Sequence, residues 1–169
     1  MAGLHSTALR FGALCGAAVL AAQPALATDS TGSLSVNATI TSNCAVTTTT
    51  VAFGSIDVTL NTAVDATGGI SVTCTSGTAW TAKADAGTGG AGTSLTHRKM
   101  TGPDKLSYDL FTDSARTTKW GDGITSGTGA ITGTGTGSAD TKTIYGRVRA
   151  GSTARAGSYA DTVTVTVTY

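Results

Sequence analysis

An all-β domain is what this sequence predicts, and three observations predict it. All ten acidic residues are Asp and none is Glu, while Thr makes up roughly a fifth of the chain, a composition that favours strands and turns over helices. Past the leader no segment carries a sustained apolar period of 3.6. Two segments alternate apolar and small polar residues with period 2, one at each end: Leu34, Val36, Ala38 and Ile40, and Val163, Val165, Val167 and Tyr169.

Residues 1–27 read as a secretory signal. Arg10 supplies the positive charge, Phe11 to Ala22 is an apolar run too short to span a bilayer, and Ala25-Leu26-Ala27 is a small-x-small cleavage site. Removing 27 of 169 residues leaves 142, the size of one domain. Only Arg10 of the eleven basic residues goes with the leader, so ten bases face ten acids and the net charge is zero. Such a balance argues against nucleic acid or an anionic membrane as partner.

Residues 28–42 open with a polar leader containing Gly32, then turn amphipathic, predicting a half-buried strand over 33–41. Cys44 and Cys74 are the cysteines that remain after the leader, and an even pair in an exported chain predicts a disulfide. Closing a loop of this length stabilises a fold by roughly 3 to 4 kcal/mol. Strands are expected over 51–58 and 70–75, with Ala66-Thr67-Gly68-Gly69 as the turn between them.

A short strand around Trp80 enters a Gly-rich loop at 87–92, and His97-Arg98-Lys99 reads as a solvated loop. Leu106, Tyr108 and Leu110 mark the next strand; Trp120-Gly121-Asp122-Gly123 is a tight turn. Residues 125–138, almost wholly Gly, Thr, Ser and Ala, predict a long surface loop or a poorly buried hairpin. A strand over 141–150 and the final one bring the expected total to seven or eight, the spacing of a sandwich. A chain with amphipathic strands at both ends either pairs its own ends or lends one to a neighbour.

Catalysis finds little material. With no Glu and His97 alone left after the leader, a Ser-His-Asp triad has no nucleophile elbow to build on. Asp109 and Asp113 lack the spacing and terminal Glu of a calcium loop, and two thiols with one His do not make a zinc site. Tyr145, Arg147 and Arg149 alternate on one strand face and predict a solvent-facing ladder. No catalytic residue, metal or cofactor is expected.

Several stretches, in order, resemble the spore coat U domain family, which includes pilin subunits of archaic chaperone-usher pili. They are Cys44 with Phe53-Gly54; Val72-Thr73-Cys74 through Trp80; Arg98-Lys99-Met100; Leu106 through Asp113 leading to Trp120-Gly121-Asp122-Gly123; Tyr145-Gly146-Arg147-Val148; and Ala156 through Asp161 running into the Val-Thr strand. Phe111 stands where the family usually has Tyr.

The resemblance implies an incomplete immunoglobulin-like β-sandwich over 43–169, completed by donor-strand exchange. Leu34, Val36, Ala38 and Ile40 of segment 28–42 would be the donor side chains. Val163, Val165, Val167 and Tyr169 would border the acceptor groove of the preceding subunit. Burying the four donors would contribute on the order of 5 to 8 kcal/mol before ordering costs. The resemblance further implies a homopolymer of neighbouring subunits, a periplasmic chaperone, an outer-membrane usher, and export to a cell-surface pilus serving adhesion and biofilm formation. Two other readings are a coat protein whose segment 33–41 fills its own groove and a tip adhesin.

Overall fold

The computed structural model describes residues 26–169, so the expected leader lies outside the described residues apart from Leu26 and Ala27. The chain divides into two units, Met1–Ala38 and Thr39–Tyr169. In the first, residues 26–38 form no strand, and Leu34 and Val36 stand 88% and 84% exposed. This corrects the half-buried strand expected over 33–41. Alternating side chains define a face, but the strand itself is made by ladder hydrogen bonds, and these residues have no ladder partner.

The second unit is an all-β sandwich. Its strands are β1 (Cys44–Thr49), β2 (Val64–Cys74), β3 (Ala79–Ala84), β4 (Arg98–Thr101), β5 (Lys105–Phe111), β6 (Lys119–Trp120), β7 (Thr128–Gly129), β8 (Ile131–Thr134), β9 (Ala139–Val148) and β10 (Val165–Thr168). One sheet runs β1-β2-β9-β5-β6-β7, with β4 also on β5; the other runs β10-β3-β8. The long β2–β9 ladder, Val64↔Val148 to Thr73↔Ala139, sets the frame. Period 2 then aims Ile70, Val72, Ile144 and Val148 inward, onto Trp80, Ala82 and Ala84 of the facing sheet.

Four sequence expectations are corrected here. The turn at Ala66–Gly69 is strand: a Cβ on Gly68 would lie 2.7 Å from a Val51 methyl, so the glycine serves close packing rather than a bend. Residues 51–57 are not strand and end in a 3-10 turn, Val58–Leu60, capped by Asp57 through the Thr59 N–H. Residues 125–138 are no mere loop, since β8 pairs with β3 and buries Ile131. Arg98 is not solvated but fully buried, donating to the carbonyls of Asp85, Leu95 and Trp120. Those three acceptors are what make a buried guanidinium tolerable. Cys44 and Cys74, register partners on β1 and β2, are joined by the expected disulfide.

Candidate functional site

A groove of about 1150 Å³ opens between the sheets. Its floor is apolar core: Ile70, Met100, Leu106, Tyr108, Leu110 and Ile144. Its two long rims are segments that lie outside the regular strands, residues 50–57 and 154–163, with Val165 at the start of β10.

The first rim follows β1. Val51 and Phe53 point inward with period 2; Gly54, at φ +67, then shifts the phase so that Ile56 points inward as well. Phe53 packs edge-on to Tyr108, ring centroids 6.3 Å apart, and reaches the sheet because position 146 is glycine. No backbone hydrogen bond joins residues 50–56 to any other described residue. The rim is seated by side chains while its backbone donors and acceptors stay unpaired.

The second rim switches sheets. Ala160 exchanges two backbone bonds with Thr101 of β4, at 2.8 and 3.0 Å, and four residues later Thr164 pairs with Asp85 beyond the end of β3. Asp161 marks the crossover. One of its oxygens takes the Tyr108 hydroxyl at 2.6 Å and the other takes the Thr88 N–H at 2.7 Å. Burial and the Asp161 carboxylate push the Tyr108 hydroxyl well above its ordinary range, so it stays a donor at any physiological pH. On this rim Arg155 forks onto Asp104 at 2.8 and 3.0 Å, and that pairing holds the Asp104 carboxyl below its usual range. β10 itself pairs with β3 alone, leaving its other edge open.

Of the four C-terminal positions singled out in the sequence, Val163 and Val165 line the groove. Val167 packs half-buried against the core, and Tyr169 is 59% exposed. Leu34, Val36 and Ala38 lie in the separate N-terminal unit, and Ile40, two residues past its boundary, is 85% exposed. Sequence reading missed the whole first rim as a groove wall. The signal was present in Phe53-Gly54, a large apolar residue beside a glycine that breaks the alternation. Asp109 pairs with Lys119 at 2.9 Å and Arg149 at 2.6 Å, and among the described residues no group of three or more His, Cys, Asp or Glu converges on a common point.

Two sheets that do not close on each other, with a core reached through a groove between two extended rims, define an open immunoglobulin-like β-sandwich. The chain belongs to the spore coat protein U domain family, whose pattern it matches over residues 30–166. Among solved structures its fold is similar to a chain of the CsuC-CsuE chaperone-tip adhesion subunit pre-assembly complex, from the archaic chaperone-usher Csu pili of Acinetobacter baumannii. The TM-score is 0.54 at 20% identity, with 78% of this chain covered but only 40% of that one, so the likeness is one of fold. No curated protein matches the sequence.

Proposed function

We propose that the domain is a structural pilus subunit whose groove accepts an extended strand from another chain. The observation that carries this is the first rim: a segment whose backbone donors and acceptors from 50 to 56 make no backbone hydrogen bond, facing the open edge of β10 across an apolar floor. A strand laid between them would form ladders on both sides and cover Leu106, Leu110 and Ile144. Residues 33–41, with Leu34, Val36, Ala38 and Ile40 on one parity and largely exposed, are the matching donor of a neighbouring copy. Head-to-tail exchange of this kind does not close and yields a fibre. The fold likeness to a chain of a chaperone–subunit complex supports a periplasmic chaperone as the first occupant of the groove, with an outer-membrane usher as the place of exchange. On this reading segment 1–27 directs export and 28–42 is the donor. Domain 43–169 is the receiver, and the product is a surface fibre serving adhesion and biofilm formation.

Unheated and boiled denaturing gels of material sheared from the producing cells test this. A ladder at integer multiples of the subunit that collapses on boiling is the expected result. Val36→Asp removes the ladder and spares capture by the chaperone, because only the donor side is altered. A single monomer band in both lanes for the unaltered chain would overturn the reading in favour of a coat protein that fills its own groove.

A further inference from the structure

The exposed face of the larger sheet, opposite the groove, carries a second feature. Four cations gather there around two carboxylates, Asp65 and the buried Asp109: Arg147 and Arg149 are half-exposed, while the Arg116 and Lys119 side chains show only 15% and 18% of their surface. With Asp113 of the adjoining turn counted, four against three leaves a surplus of one positive charge on one face of a domain whose overall charge is zero. Asp113, in the adjoining turn, directs its oxygens to the backbone N–H groups of Thr117 and Thr118.

The surplus is not evenly held. Arg147 takes both oxygens of Asp65, at 2.7 and 2.8 Å, in a forked pair. Arg116 therefore finds Asp65 already occupied. Its Nε lies 3.3 Å from Oδ1, within Coulombic reach, but lacks the alignment of a hydrogen bond and has no other partner. One bond ties its guanidinium down, from Nη1 to the Ser114 carbonyl at 3.2 Å, out of five N–H groups available. Its backbone sits at φ +57, and its guanidinium rests over the Tyr145 ring, 5.7 Å from the centroid.

Chemistry on either side narrows the ligand. Along the same outward parity Tyr145 opposes Thr67, and the next rows are Gly69↔Thr143 and Ser71↔Thr141, a lane of hydroxyls with no charge in it. A cationic end, an aromatic ring and a hydroxyl lane in line match a chain of hydroxyl-bearing rings that carries carboxylates. One surplus charge is too few to hold a nucleic acid, which presents a phosphate every few ångströms and binds by neutralising many of them. We infer that this face binds an acidic polysaccharide, its carboxylate on Arg147 and the exposed edge of Arg116 and its adjoining sugars beside Tyr145 along the Thr67–Thr143 lane.

The test is retention of the exported, purified chain on beads bearing alginate, uncharged dextran or double-stranded DNA, at about 20 and about 300 mM salt. Retention on alginate at the lower salt, and neither on dextran nor as tightly on DNA, is expected. Arg116→Gly cuts that retention about tenfold. Glycine accepts φ +57 without strain, so this variant removes the guanidinium while leaving the fold intact, which the thermal melt verifies. Asp65→Asn, which frees Arg147 from its carboxylate, shifts elution to higher salt. Arg116→Gly retained like the unaltered chain, equal retention on dextran, or DNA held as tightly as alginate would each overturn the proposal.

Discussion

The two rims of the groove have the same job of framing an apolar floor, yet they are held in opposite ways. The first, residues 50–57, has no backbone bond to the rest of the domain from 50 to 56 and is seated by Val51 and Phe53 in a trough made by Gly68 and Gly146. The second, residues 154–165, is stitched at several points. The Thr101–Ala160 bridge, the Tyr108–Asp161 bond, the Asp85–Thr164 pair and the Arg155–Asp104 fork all hold it. Side-chain seating is tolerant of small displacements, because dispersion contacts are many and individually weak, whereas hydrogen bonds are directional. The rims therefore divide their roles: the second fixes where the groove lies, and the first adjusts to whatever fills it.

The largest way to break this contrast is to fill the trough. Gly146→Ala places a Cβ 2.6 Å from Val51 Cγ1 and 2.8 Å from Phe53 Cζ. Overpacking of this kind costs about 1–3 kcal/mol. A thermal melt reads the loss, and hydrogen exchange should place the damage in residues 50–57 while 160–168 stay protected. Uniform loss of protection in both rims would contradict the division.

The second rim is probed by Tyr108→Phe, which removes one buried hydroxyl from a charged acceptor and should cost about 1.5–3 kcal/mol. Here the exchange pattern should reverse, with 160–164 exposed first and Phe53 still packed on the remaining ring.

The smallest effect is acid. Asp104, held low by Arg155, shares its depressed state with Asp57, Asp65, Asp113 and Asp122, each below an ordinary value of 3.8. Carboxyls depressed in the folded state contribute stability above that value and lose it progressively as pH falls through their folded values. The melting temperature should therefore hold between pH 8 and about 5 and decline below about pH 4. Asp104→Asn should flatten part of that decline, since its contribution is exposed and screened. An unchanged slope in the variant would remove Arg155 from the list of rim fastenings.

Much of the fold was legible because period 2 is a local property. β3, β5, β9 and the final alternation each show their buried face in consecutive residues, and Cys44 and Cys74 needed only a count and an oxidising destination. The candidate site was half legible: Val163 and Val165 follow from the last strand, but the rim facing them does not. Phe53 reads as strand until Gly68 and Gly146, distant in the chain, are found beneath it. Arg98 misleads for the same reason, since the three carbonyls that accept its protons come from residues 85, 95 and 120.

What the sequence determined by itself is the β class, the disulfide, the inward faces of the central strands and the presence of an amphipathic segment at 33–41. Those follow from residue chemistry and near-neighbour spacing. What only the tertiary structure decided is which segments go without a ladder and where β8 docks. It also decided that a loop-like His-Arg-Lys run delivers a buried arginine, and that four cations from three elements share one sheet face. Each of those depends on a partner tens of residues away, and burial or pairing with a distant group leaves no mark in local periodicity.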